Sequence, residues 1–191
     1  MEPARLEAFT DGVIAIIITI MVLEIRVPQG GSLAALRADV PLLLTYVLSY
    51  VNVGIFWNNH HHMLHVTERV DGKVLWANLA LLFWLSLVPF VIRWLDEAGF
   101  TALPTAAYGV VLAGAAVCYS ILRRQIIAAN GRDSRLALAT GRDLKGKLSI
   151  VLYVSAIALA FVRPAIALVL YVTVSLIWLV PDRRIESQVK P

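Results

Sequence analysis

Long apolar segments separated by short polar ones place the strongest constraint on the fold of this chain. Hydrophobic residues make up 59% of the sequence and charged residues 16%, and the mean hydropathy is +0.76. A helix of about 20 apolar residues crosses the hydrocarbon core of a bilayer, and backbone groups in lipid must be hydrogen-bonded within the protein. The sequence therefore predicts an all-α integral membrane protein. Its 191 residues leave no room for a large soluble enzyme domain, and we expect no enzymatic activity.

Six segments have the hydropathy and spacing expected of membrane-spanning helices. They are residues 5–25, 41–63, 74–92, 101–127, 148–162 and 164–180. Arg163 and Pro164 separate the last two, and proline is favoured at the first position of a helix, so a tight hairpin is expected there. Residues 1–191 are interpreted as a single six-helix membrane domain.

The basic residues are divided unequally between the two sides that this arrangement defines. Four of the 17 Lys and Arg residues, namely Arg26, Arg37, Arg93 and Arg163, lie on one side, and the other thirteen lie on the side of the two termini. Because Lys and Arg are retained in cytoplasmic loops, both termini are predicted to be cytoplasmic, with the plasma membrane as the location. The basic segment 128–146 is interpreted as a solvated cytoplasmic loop. The net charge of +4 thus reflects topology and requires no nucleic-acid partner.

The first predicted helix carries carboxylates at both ends. Glu7 and Asp11 lie near its start and Glu24 near its end. A charged group at mid-helix costs roughly 2.5 to 3.5 kcal/mol on insertion scales, so Asp11 is expected to face protein or water. Glu24 either faces a shared axis or pairs with a cation, and pairing with Arg26 or Arg37 is the expectation.

Polar residues of the second and third helices are candidate partners for Asp11. Trp57 and His60 end the second helix and Asn78 begins the third, at the same predicted depth as Asp11. A polar network of Asp11, His60 and Asn78 would satisfy groups that lipid cannot. In the alternative interpretation, Trp57 and Trp76 are interfacial anchors and the histidines lie among the lipid headgroups. The composition does not decide between them.

At about 100° per residue, the first helix has two further faces. The small residues that share one face, where another helix could approach closely, are Ala8, Gly12, Ala15 and Thr19. The bulky residues beside them, directed away from Asp11, are Ile16, Ile20 and Leu23, which we call the aliphatic stripe. Lipid contact, core packing and a shared axis all remain open for this stripe. The Thr19 hydroxyl either faces an ion path or bonds back to the preceding turn.

Several short motifs carry a resemblance to a known family. Residues 5–11, RLEAFTD, resemble the basic-x-x-x-Phe-Ser-Asp signature of the transmembrane protein 175 family, which comprises lysosomal potassium channels and their bacterial relatives. The segments VLEIRVP (22–28), FWNNHH (56–61), RVD (69–71), LWANL (75–79) and VPF (88–90) resemble the bacterial members in order and spacing. The similarity is specific over residues 4–92 and extends beyond them only as a hydrophobic pattern. Thr10 departs from the family serine but keeps the hydroxyl group.

The resemblance implies a six-helix subunit that assembles as a homotetramer, with the first helix lining a central cation pore. It places the apolar constriction at Ile16, Ile20 and Leu23, and the position of Thr19 beside this stripe makes its hydroxyl a further candidate selectivity group. It assigns anchoring of the pore helix to Arg5, Phe9, Thr10 and Asp11, with Trp57, His60 and Asn78 as their partners. Potassium is the implied permeant ion, and no cofactor or resident metal is implied.

Two functions from other classes remain open. A small membrane protein that binds a metal or haem is suggested by His60, His61, His62 and His65. All four lie within one short segment, however, and no H-E-x-x-H motif is present. A secondary transporter needs a substrate site near the midplane, but the predicted spans carry almost no polar interruption there apart from Asn52 and Pro104. The single Cys118 excludes a disulfide within the chain.

Overall fold

The structure is a computed structural model that describes residues 2–131, 133–140 and 143–179. Within these residues the chain forms nine α-helices and no strand. They are α1 (Pro3–Leu23), α2 (Leu33–Ala38), α3 (Val40–His65), α4 (Gly72–Ser86), α5 (Val88–Glu97), α6 (Ala102–Asn130), α7 (Arg135–Thr140), α8 (Leu144–Ala160) and α9 (Pro164–Leu179).

Four helical stretches are long and apolar enough to cross a membrane. They are Pro3–Leu23, Val40–His65, Gly72–Glu97 and Ala102–Asn130, and Pro164–Leu179 is a shorter apolar helix. The predicted all-helical membrane protein is thereby confirmed. A helix occupies each of the six predicted segments, although Val180 and the basic tail lie outside the described residues.

The third predicted helix is divided into α4 and α5. Pro89 lies at the start of α5 and has no amide hydrogen to donate to the preceding turn, so the helix breaks at Leu87. α5 then continues to Glu97, beyond the predicted end at residue 92. The break directs the end of α5 toward the end of α1, where charged residues of the two helices meet.

The loop prediction for residues 128–146 is wrong in part. α6 continues to Asn130, α7 follows, and α8 begins at Leu144. The Asn130 amide fixes this end of α6: its Oδ1 accepts the backbone N–H groups of Glu68 and Arg69. Asp143 accepts the Gly146 N–H as an N-cap and also pairs with Arg123 of α6.

α6 is the central helix of the bundle, and α1 lies at its side. α6 packs against α4, α5, α8 and α9, whereas α1 packs against α3, α4 and α5. The contact between α4 and α6 is close, because a Cβ atom added at Gly114 would lie 2.3 Å from the Trp84 ring. One face of α1 therefore rests on the bundle and the other lies outside it.

Polar groups deep inside the bundle are hydrogen-bonded to one another. The Ser49 Oγ lies 2.9 Å from the Tyr108 hydroxyl, and Ser175 donates to Asn52 Oδ1 at 3.0 Å. The Asn52 amide also donates to the Leu48 carbonyl. Asn52, one of the few residues that interrupt the apolar middle of the predicted spans, is thus bonded within the protein, which weakens the transporter interpretation.

Candidate pore helix and its anchor

Helix α1 has a buried face and an exposed face. The buried residues recur every three or four positions, as expected for a helix packed on one side; they are Leu6, Thr10, Ile14, Ile17 and Met21. On the opposite side the aliphatic stripe is open, with Ile16 exposed to 59%, Ile20 to 41% and Leu23 to 79%. Among the residues that the structure describes, none packs over the stripe to bury it in the core.

The small residues of α1 lie on the same exposed side. Ala8, Gly12 and Ala15 are all exposed, and a Cβ atom added at Gly12 would meet nothing within 4 Å. The close helix approach predicted for this face is thus not made by the part of the chain that the structure describes. The exposed face of α1 is continuous from the small residues to the aliphatic stripe.

The acidic residues at the start of α1 are held by α3. Asp11 Oδ1 accepts a hydrogen bond of 2.8 Å from Trp57 Nε1, and Glu7 Oε1 lies 2.6 Å from His61 Nδ1. Trp57 is therefore bonded to α1 and does not serve only as an interfacial anchor. The contact between Glu7 and His61 was not anticipated from the sequence, although the two residues share the predicted depth of Asp11 and Trp57.

A second set of contacts is completely buried beneath the first. Asn78 of α4 donates through Nδ2 to the Thr10 hydroxyl at 2.9 Å, and its Oδ1 lies 2.8 Å from His60 Nε2. Thr10, His60 and Asn78 are each 0% exposed. Because an amide oxygen only accepts, His60 Nε2 carries the proton in this assignment. The hydroxyl retained at Thr10 makes the bond that links α1 to α4.

The expected single network is therefore two separate contacts. Asp11 bonds to Trp57 and not to His60 or Asn78, whereas Thr10, which only the family resemblance had placed in the anchoring motif, takes part in the buried contact. Thr10 faces the bundle and Asp11 its edge, because consecutive helical residues differ by about 100°.

Two motif residues project away from the subunit. Arg5 is exposed, and its guanidinium bonds to no side chain or carbonyl among the described residues. Phe9 is exposed to 52%. Both lie on α1 beside the small residues. Neither residue is held by a side-chain hydrogen bond within the part of the chain that the structure describes.

Thr19 adopts the local arrangement considered from the sequence. Its hydroxyl donates to the Ile16 carbonyl at 2.9 Å, and the residue is exposed. The hydroxyl oxygen keeps lone pairs that could accept a hydrogen bond or contact a cation.

The expected partners of Glu24 are wrong. Arg93 NH1 lies 3.6 Å from Glu24 Oε2, and Arg26 pairs instead with Asp96 at 2.7 Å. Both partners come from α5, which the break at Leu87 brings beside the end of α1. A helical i, i+4 pair of Arg93 and Glu97 was the one sequence signal for this cluster.

The histidine cluster does not form a metal site in the part of the chain that the structure describes. No group of three or more histidine, cysteine or acidic side chains is placed there to hold an ion. The His61 ring instead stacks on Trp57 and on His65, with ring centroids 6.1 Å apart in each case. These contacts favour a structural role for the cluster.

The fold and this site define a multi-pass helical membrane protein in which one helix presents an exposed aliphatic face. Comparison with known proteins gives the family. The model of the family described as "Endosomal/lysosomal potassium channel TMEM175" matches residues 5–89. A potassium channel of Chryseobacterium sp. (strain P1-3) is 49% identical over 190 residues, covering 100% of this chain and 99% of that protein.

A solved structure and a human protein are also similar. The crystal structure of a lysosomal potassium-selective channel TMEM175 homolog from Chamaesiphon minutus matches with a TM-score of 0.80 and 25% identity, covering 94% of this chain and 97% of that one. The human endosomal/lysosomal proton channel TMEM175 is 38% identical over 96 residues, which are 44% of this chain and 19% of that protein. The chain belongs to the TMEM175 family, which confirms the resemblance. This is a family of channels and not of enzymes.

Proposed function

We propose that this protein is a potassium-permeable channel in which four copies surround a central pore lined by α1. The observation that carries the proposal is the exposed aliphatic face of α1, in a chain whose family model and bacterial relative are named as potassium channels. Each subunit contributes six spans, formed by α1, α3, α4 with α5, α6, α8 and α9. Both termini lie in the cytoplasm and the channel lies in the plasma membrane, in agreement with the distribution of Lys and Arg.

The aliphatic stripe supports a hydrophobic constriction. Four copies of Ile16 around an axis would exclude water from a narrow passage, since an ion there loses hydration and gains no ligand. Ile20 and Leu23 continue the same face by about one turn each. Opening then requires the α1 helices to move apart or rotate. Passage would favour potassium over sodium because potassium gives up its hydration shell at lower cost, with Thr19 beside the stripe to replace part of that shell.

The surface beside α1 supports the association of several copies. A groove between α1 and α5 is lined mainly by apolar residues, among them Val13, Ile17, Pro89 and Phe90. Phe90 is exposed to 60%. Small residues on the exposed face of α1 allow close packing of a helix in lipid. A second α1 could occupy this surface, with the projecting Arg5 and Phe9 available to the neighbouring subunit.

Reconstitution of the purified protein into liposomes tests the function directly. We expect potassium to flow down its gradient, at a rate that rises with the gradient and does not depend on a proton gradient. An uncoupled flux of this kind distinguishes a channel from a transporter. Protein-free liposomes are the control, and potassium movement that requires a coupled proton gradient would contradict the channel.

The contact between Asp11 and Trp57 should support assembly. Asp11→Ala leaves the Trp57 indole without its acceptor, and Trp57→Phe removes the same bond from the other side. A hydrogen bond to a charged group contributes about 1.5 to 3 kcal/mol. Because this bond holds α1 against α3, and α1 forms the proposed contact between subunits, we expect either change to raise the protein concentration at which the tetramer dissociates, measured by light scattering after size-exclusion chromatography.

Trp76→Phe is the matched control for this test. Trp76 is predicted at the same interface and is exposed to 76%, and no hydrogen bond of its indole is found among the described residues. Its removal should leave the oligomer unchanged. If Trp57→Phe and Trp76→Phe behave alike, the bond to Asp11 has no special part in assembly.

A further inference from the structure

Charged residues form a connected cluster at the end of the bundle opposite the N terminus. Arg93 lies between two carboxylates: its NH1 is 3.6 Å from Glu24 Oε2, and its Nε is 2.8 Å from Glu97 Oε1. Arg26 and Asp96 form a second pair at 2.7 Å. We call these five residues the outer cluster. Glu24 directly follows Leu23, so the cluster adjoins the last position of the aliphatic stripe.

Two of the three anions in the outer cluster are less exposed than its cations, whereas the Glu97 side chain is exposed to 56%. The side chains of Glu24 and Asp96 are exposed to 23% and 11%, whereas those of Arg93 and Arg26 are exposed to 62% and 60%. The two arginines thus lie on the solvent side of carboxylates that are held against the protein. With two cations and three anions, the cluster has a formal charge of −1 in each subunit.

We propose that Arg93 is a positioning residue that sets the electrostatic potential at the outer mouth of the pore. Its contact directs the Glu24 carboxylate toward α5, at the edge of the aliphatic stripe, and its charge offsets part of the acidic cluster. The rate at which cations enter the pore from this side then depends on the net charge of Arg93 and the carboxylates around it. This inference rests on the proposed function, because only an assembly with α1 at its axis gathers four outer clusters around one path.

The size of the effect follows from Coulomb's law and screening. Arg93→Gln removes one positive charge from each of four subunits. At about 15 Å in water with a Debye length of about 30 Å, as at about 0.01 M ionic strength, four unit charges change the local cation concentration by roughly 3-fold. At about 1 M the Debye length is about 3 Å, and the effect is lost.

Currents through planar bilayers test this proposal. Potassium is held at about 0.01 M, and ionic strength is raised to about 1 M with N-methylglucamine chloride on one side at a time. We expect Arg93→Gln to carry roughly 3-fold more potassium current than the wild type at low ionic strength, for ions entering from the side of the outer cluster. At high ionic strength on that side, the two currents should agree.

Two further variants separate charge from structural damage. Arg163→Gln makes the same charge change at an exposed residue in the turn between α8 and α9, predicted on the same side of the membrane, and should change the current far less than Arg93→Gln. Asp96→Asn makes the opposite charge change and should lower the current roughly 3-fold at low ionic strength only. A structural defect would lower the current of both cluster variants at every ionic strength.

The outcomes distinguish this inference from the function on which it rests. A wild-type protein that carries no potassium would refute the proposed function. A conducting wild type with an unchanged Arg93→Gln current at low ionic strength would refute the role of Arg93 alone. Equal changes in Arg93→Gln and Arg163→Gln would show a general surface-charge effect and would also overturn the proposal.

Discussion

The Ile16→Asn variant is expected to carry potassium about tenfold faster than the wild type in liposomes, which corresponds to a barrier lowered by about 1.4 kcal/mol. The side chain of Ile16 is exposed to 59% on the face of α1 that no part of its own described chain covers. In the proposed tetramer, four amides would replace four isoleucines at the narrowest position. Their hydrogen-bonding groups would hold water where the aliphatic ring excludes it.

Val169→Asn is the matched control for this change. Val169 is exposed to 64% on α9, a helix that packs on α3, α6 and α8. The same amide is therefore introduced at a similarly exposed apolar position away from the proposed axis. Its potassium flux should equal that of the wild type. If Ile16→Asn assembles normally and its flux is unchanged, Ile16 does not belong to the constriction.

The hydropathy pattern predicted the positions of the membrane helices and the faces of α1. A run of apolar residues fixes where a helix lies, and a 100° repeat fixes which residues share a face, since both depend on near neighbours in the chain. For the same reason Asp11, Trp57, His60 and Asn78 could be placed at one depth. Their exact pairing could not be predicted, because a rotation of α1 by one residue exchanges Thr10 and Asp11.

The predictions that proved wrong concern contacts between segments that are distant in the sequence. Glu24 was expected to pair with Arg26 or Arg37, which are near in sequence, but the break at Leu87 brings Arg93 of α5 within reach. The segment 128–146 was expected to be a loop because it is rich in charge and glycine. The helix ends in this segment are held by hydrogen bonds that Asn130 accepts from the loop at Glu68 and Arg69, and by the cap at Asp143, and a hydropathy pattern does not predict either contact.

The Asn78→Ala variant should lose about 2 to 6 kcal/mol of stability, because it leaves two buried polar groups unsatisfied at about 1 to 3 kcal/mol each. These groups are the Thr10 hydroxyl and the His60 Nε2, which bond to the two ends of the Asn78 amide. All three residues are 0% exposed, so water does not replace the lost bonds. Thermal unfolding in detergent, followed by the fluorescence of the tryptophans, measures the loss.

Asn59→Ala provides the comparison, since Asn59 is a half-buried asparagine whose side-chain amide donates to the Ile55 carbonyl, one turn earlier in its own helix. Asn59→Ala should lower the unfolding temperature far less than Asn78→Ala does.

A combined Thr10→Val, Asn78→Leu and His60→Phe variant extends the test, because replacing all partners with apolar groups removes the unsatisfied atoms together with the bonds. Partial recovery of stability in this triple variant is expected. If Asn78→Ala unfolds at the wild-type temperature, the buried contact does not hold α1 against α4, and the orientation of the aliphatic stripe must be fixed by apolar packing alone.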